Sequence, residues 1–316
     1  MAQFIDASGN IRPVVPQVSG GQQTSRGAMQ HRPFMSLDEL PPPASTSSAQ
    51  NPLRQFLPNF RFKSVLGAAL ALELAFYIIS LWVVTPRGIV TPKPAALWKL
   101  GSSDFMIERC VTAVGGKYFW ELRRLILPIF LHTGLLHIFM NFTFQLTAGP
   151  RALDAYGPGR FTCLFLLSGM CGNLLSDAFE HRGVGASSSC YGLIGAFAAQ
   201  FWLAWYTINE AWRKWIRNMM LLYAVLLVVW ELIGWNKIDH FAHLGGLLSG
   251  FALAVVLATD APPMRRRICA CAFLVGMTAC LVKVFFWDVD ATYPDGHKYP
   301  WSVACKGLST LYDRNW

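Results

Sequence analysis

"GVGASSSCYGLIGAFAAQFWLAWY", residues 183–206, carries no Asp, Glu, Lys or Arg, and twenty of its residues follow the glycine-rich opening. A helix of that length crosses the roughly 30 Å hydrocarbon core of a bilayer. Yet the apolar run starts on three consecutive serines set among glycine and alanine. The stretch therefore asks whether it is a membrane span, and whether one of its hydroxyls is a nucleophile.

Composition answers the first question. The 316 residues are 53% hydrophobic and only 14% charged, with a mean hydropathy of +0.36, where a soluble domain is about 25% charged. Apolar windows predict seven spans, at 64–84, 133–149, 161–180, 187–206, 218–235, 241–259 and 268–287. The second is the most polar, since it holds His137, Asn141 and Gln145. The expected fold class is all-α, a polytopic membrane protein, with no stretch left for a second globular domain. Residues 1–63 are rich in Ser, Gln, Pro and Gly and read as a disordered tail. The first span is too long for a cleavable signal peptide and is expected to act as the insertion signal itself.

The net charge of +9 lies between the spans and forms no aromatic-interleaved patch, so it points to topology and away from nucleic acid. Short cytoplasmic loops favour Lys and Arg. Arg151 and Arg160, then Arg213, Lys214 and Arg217, then Arg265, Arg266 and Arg267 follow spans two, four and six; only Arg182 and Lys237 follow spans three and five. The segment 85–124 holds seven basic residues, but long connections carry little topological weight. The N-terminus is expected in the cytoplasm and the C-terminus outside or in a lumen. Six of the eight cysteines fall in or beside spans and read as small apolar residues. Cys110 and Cys305 fall in segments placed outside, where a disulfide persists; the sequence leaves open whether they pair.

With that topology, His137 and Asn141 in the first turns of span two, Ser187 at the start of span four and His243 just inside span six share one depth. Polar groups in spans are costly and face an interior cavity, so four at one level predict a site. The packing reading is also supported: Ser188, Gly192 and Ala196, and Gly246 and Gly250, repeat at the spacing that lets helices approach closely. Close packing of spans four and six brings Ser187 toward His243, so the two readings agree. A serine hydroxyl becomes a nucleophile when a neutral imidazole takes its proton. His137 and Asn141, at i and i+4, present two donors from one face for a developing oxyanion. Asp239 lies four residues before His243 without an established contact, so a Ser-His dyad is expected, with Tyr191 stacking on the imidazole. Zinc is disfavoured: no H-E-x-x-H occurs, and His132 and His137 share a helical face poorly. His132 and His240 are expected to be interfacial histidines.

At these residues the sequence resembles the rhomboid family of intramembrane serine proteases. "GASSSCYGLIGA" is similar to the family's G-x-S-G-A-x-x-G, "DHFAHLGGLLSG" to its A-H-x-G-G segment, and "HTGLLHIFMN" to its H-x-x-x-N element, in family order over roughly residues 60 to 260. The resemblance implies Ser187 as nucleophile, His243 as base, His137 and Asn141 as oxyanion donors and Tyr191 as the aromatic partner. It implies a six-helix bundle over 64–260, with the tail 1–63 before it and a loop, a seventh span and an outer tail over 261–316. The six-plus-one order resembles members of the secretory pathway, so Golgi, secretory or plasma membranes are expected before the mitochondrial inner membrane. Expected partners are transmembrane protein substrates and the lipid bilayer; no cofactor and no metal are expected. Ser188 stands where the family has Gly, and Arg123-Arg124 where it has Trp-Arg. The other reading is an inactive rhomboid-like protein that binds transmembrane clients, whose members lose the serine or histidine or gain a proline beside the serine; here both are present and residue 186 is Ala.

Overall fold

Helix α1 (Val65–Trp82) starts where the chain turns apolar, and the Ser64 hydroxyl accepts the Gly67 N–H at 3.1 Å to cap it. The computed structural model describes residues 3–5, 11–13, 60–83, 90–113, 119–208, 210–233, 238–287, 290–292, 298–300 and 305. After α1 come α2 (Pro94–Leu100), α3 (Phe105–Ala113) and two 3-10 segments, Phe119–Leu125 and Leu127–Phe130. Five longer helices follow: α4 (Leu135–Ala178), α5 (Ser187–Ala204), α6 (Glu210–Ile233), α7 (His240–Leu257) and α8 (Pro263–Val282), the last running into a π turn, Lys283–Trp287.

α4 is two helices in one. Gly157 leaves helical geometry at φ 74°, and Pro158 follows it, so the 44 residues break into two arms. Counting the arms separately, the described residues place a helical segment at each of the seven expected spans. Among the described residues, four helices are long and apolar enough to cross a membrane: α1, α4, α7 and α8 with its extension to Phe286. α5 is more polar because it is sheltered: Ser188 and Ser189 at its start are buried. The chain is thus a polytopic helical membrane protein.

The centre of the bundle is α5, held between α4 and α7. Gly246 and Gly250 of α7 lie against the α5 backbone so closely that a Cβ on them would stand 2.0 Å from the Ser188 carbonyl oxygen and 2.1 Å from that of Gly192. Leu66 of α1, Ile129, Phe161 and Leu164 of α4, and Leu193 of α5 fill the core around this contact. The Tyr156 hydroxyl, beside the α4 break, donates to the Ala196 carbonyl at 3.0 Å. α8 presents Met264, Ile268, Leu274 and Val275 outward and contributes no buried residue of its own, as befits an appended helix.

A polar layer covers the end of the bundle where α5 and α7 begin. The buried Arg124 guanidinium binds Glu121 at 2.6 Å and the carbonyls of Trp98 and Ser102 at 3.0 and 2.8 Å. Thus the second arginine of Arg123-Arg124 is the one that pins α2 and the 3-10 segment together. Ser103 donates to Asp177 at 2.5 Å and Asn173 to the Leu125 carbonyl at 2.9 Å, tying the layer to α4. Cys110 of α3 is joined to Cys305, with Cα atoms 5.6 Å apart.

The described residues also include two short antiparallel strand pairs. β3 (Asp290–Thr292) pairs with β4 (Lys298–Pro300). Within the unit Met1–Phe34, β1 (Gln3–Ile5) pairs with β2 (Ile11–Pro13). The rest of the expected disordered tail, through residue 59, lies outside the described residues, as do Lys237 and most of the outer tail.

Two outcomes follow from this packing. Gly250→Val is expected to cost about 1–3 kcal/mol of stability, read as a lowered thermal midpoint in detergent. Glu108 of α3 is fully buried beside Asp177, and burial together with that neighbour's charge holds its carboxyl well above the usual carboxylate range. The folded protein therefore keeps a proton that the unfolded chain has lost, and stability falls as pH rises above that range. Glu108→Gln removes this group's share of the dependence, so its thermal midpoint should overtake the wild type's by about 2–4 °C as the pH is raised.

Candidate active site

The start of α5 is set by a turn that only glycine tolerates well. Gly185 sits at φ +130° and donates its N–H to the Pro128 carbonyl at 2.8 Å. A Cβ there would stand 2.7 and 2.8 Å from Cε1 and Nε2 of His137, and 3.7 Å from the Asn141 amide nitrogen. His137 and Asn141 thus face the backbone two residues before Ser187. Inside α5 the first N–H to find a helical acceptor is that of Cys190, bonded to the Ala186 carbonyl at 2.9 Å. The N–H groups ahead of it are the orphan donors of the helix N-terminus, where the dipole favours negative charge.

His243 lies in the first turn of α7. Asp239 caps that helix: one oxygen accepts the Ala242 N–H at 3.0 Å, the other the Ser176 hydroxyl at 2.5 Å. The contacts at Gly246 and Gly250 then bring the imidazole over the end of α5, where His243 Nε2 and Ser187 Oγ are 2.8 Å apart. Tyr191, one turn after the serine, stacks on the imidazole with ring centres 4.1 Å apart and planes 12° from parallel. The side chains of Ser187 and Tyr191 thus both lie against the His243 imidazole.

Two partners were not anticipated. Glu231, in the last turn of α6, places Oε1 2.6 Å from His243 Nδ1. The same carboxylate takes the Tyr191 hydroxyl and His240 Nδ1. Asp239, the carboxylate considered from the sequence, is occupied as a cap. The signal for Glu231 was present: it is the one acid in the window 218–235, and acids inside spans are expensive. The second partner is Thr133, whose hydroxyl and N–H lie 3.1 and 3.5 Å from His137 Nδ1. A backbone N–H only donates, so Nδ1 accepts and Nε2 carries the proton, available to a ligand. Asn141 donates to the His137 carbonyl at 3.1 Å with one of its two amide protons.

The remaining polar residues separate from the site. His132 is fully buried, with Nε2 3.6 Å from Glu73 of α1, which also accepts from Gln145 at 3.0 Å. Ser188 is buried with its Cβ turned to Gly172 of α4, where an added Cβ would lie 2.7 Å away. Lys283 places its ammonium 4.9 Å from the centre of the Phe179 ring.

A family model described as "Rhomboid domain" matches residues 119–260. Rhomboid-like protease 1 of Toxoplasma gondii is 31% identical over 208 residues, covering 65% of this chain and 67% of that protein. RHOMBOID-like protein 6, mitochondrial, of Arabidopsis thaliana is 33% identical over 168 residues, 52% of this chain and 51% of its own length. Inactive rhomboid protein 1 of Rattus norvegicus is 30% identical over 177 residues, 53% of this chain but only 20% of that protein.

Gly185→Ala is expected to cost about 1–3 kcal/mol through backbone strain, besides pressing on His137. Gly159→Ala, which meets nothing within 4 Å, is the matched control, and equal thermal midpoints for the two variants would contradict the account of the turn.

Proposed function

The chain belongs to the rhomboid family, and we propose that this protein is an intramembrane serine endopeptidase using Ser187 and His243. The observation that carries the reading is the 2.8 Å approach of His243 Nε2 to Ser187 Oγ at the half-buried start of α5. His243 takes the hydroxyl proton as Ser187 attacks a peptide carbonyl, then returns it to the leaving amine. The N–H groups opening α5, the Nε2 proton of His137 and the second amide proton of Asn141 stabilise the oxyanion. A water, activated by the same imidazole, releases the acyl group from Ser187.

The substrates are transmembrane proteins. A helix inside the bilayer shields its own peptide bonds, so a substrate must unwind, which favours helix-breaking and small residues near the cut. The catalytic unit is 64–260, with the tail 1–63 in the cytoplasm and 261–316 adding the seventh span and an outer tail. The polar layer carrying the Cys110–Cys305 disulfide supports placing this end of the bundle on an oxidising side. That favours Golgi, secretory or plasma membranes over the mitochondrial inner membrane.

The competing reading is a client-binding protein without activity; the rat relative is named an inactive rhomboid protein. The retained serine-histidine contact and Ala186 weigh against it here. Cleavage of a generic transmembrane substrate by the purified protein in lipid vesicles is the test. Activity is expected to vanish in Ser187→Ala and His243→Ala, and to fall roughly 10²-fold in Asn141→Ala, since one oxyanion donor is typically worth about 3 kcal/mol. Cleavage that survives Ser187→Ala contradicts the proposal. Cleavage by neither wild type nor a Ser188→Gly variant, both folded, moves the weight to client binding.

A further inference from the structure

We propose that Glu231 is the positioning residue for His243, fixing the imidazole in the tautomer that lets it act as a base toward Ser187. The inference rests on the reading of Ser187 and His243 given above and adds a third group, carried by a third helix. An ionised carboxylate only accepts hydrogen bonds. Its partners must therefore donate: His243 Nδ1–H and the Tyr191 hydroxyl to Oε1, and His240 Nδ1–H to Oε2. With its proton on Nδ1, neutral His243 turns the Nε2 lone pair to the Ser187 hydroxyl 2.8 Å away. The opposite tautomer would put a proton between Nε2 and Oγ and leave two lone pairs facing each other at the 2.6 Å Nδ1–Oε1 contact.

Neither neighbour can replace it. The stacked Tyr191 ring holds the plane of the imidazole, but a ring face does not choose between two nitrogens. Asp239 spends its oxygens on the Ala242 N–H and the Ser176 hydroxyl. When the serine proton reaches Nε2, the resulting imidazolium stands against a negative charge already in place, as a buried Asp does for the histidine of a soluble triad. Because Glu231 lies in the last turn of α6 while the serine and histidine lie on α5 and α7, the base is oriented only when that turn of α6 is docked on the start of α7.

The experiment compares full-length wild type, Glu231→Gln, Glu231→Asp and Tyr191→Phe in lipid, with thermal midpoints recorded for each. Glu231→Gln is expected to lower kcat about 10²-fold with KM within about twofold, because Glu231 does not touch substrate. Glu231→Asp, which keeps the charge on a side chain one methylene shorter, should regain at least about tenfold of that loss. Tyr191→Phe, which keeps the stacking ring and removes one donor, should stay within about tenfold of wild type. A Glu231→Gln protein with wild-type kcat, a loss confined to KM, or an Asp variant no better than Gln overturns the proposal. A readout independent of turnover keeps its fate separate from that of the proposed activity. In protein with 15N-labelled histidine, His243, identified by its absence in His243→Gln, should carry its proton on Nδ1. A His243 protonated on Nε2 overturns the assignment whether or not the protein cleaves anything.

Discussion

Everything at the site depends on the contact between the backbones of α5 and α7. Two α-helices whose interface carries ordinary side chains keep their axes about 8–10 Å apart. Here Gly246 and Gly250 leave no Cβ between α7 and the carbonyls of Ser188 and Gly192. Only at that separation do side chains as short as Ser187 and His243, each in the first turn of its helix, meet at 2.8 Å. The small-residue spacing and the reactive pair are two consequences of one approach.

The second demand on the fold is the cost of polar groups away from water. The structure meets it by sorting them. At the core, Gln145 of α4 donates to Glu73 of α1, with His132 buried beside them. Over the bundle, Arg124 neutralises Glu121 and fills the carbonyls of Trp98 and Ser102, so that α2 and α3 lie as a fixed layer on the helix ends. That layer reaches the site through Pro128, whose carbonyl holds the Gly185 N–H and so sets the turn that aims α5. A loop that looks peripheral in the sequence is part of what positions the nucleophile.

Much of this was legible in advance, for identifiable reasons. Span positions follow from apolar length, which needs no tertiary information, and α1, α5, α7 and α8 begin within a few residues of the expected starts. Depth was the signal for the approach of His243 to Ser187, and for His137 and Asn141 lying beside the Gly185 turn: alternating topology assigns each residue a level before any packing is known. Tyr191 followed from its place one turn after Ser187. Glu231 stood out as the one acid of its window, but its partner was not legible, because depth alone does not say which face of α6 looks inward, and Asp239, closer in sequence, offered a local alternative that capping had already claimed. The burial of His132 beside Glu73 was not legible because that carboxyl lies 59 positions away on another helix. The continuity of α4 through residues 150–156 was hidden as well, since Pro150 and Gly157 both read as breakers, and only Gly157 breaks the helix.

The central claim is that Ser187, alone among three adjacent serines, is an activated nucleophile. Peptide mapping by mass spectrometry after reaction of the purified protein in lipid with a fluorophosphonate probe tests it most directly. The account predicts an adduct on Ser187 and none on Ser188 or Ser189, formed by the wild type and lost in His243→Ala. An adduct on a neighbouring serine, or labelling of Ser187 that is indifferent to His243, would contradict it.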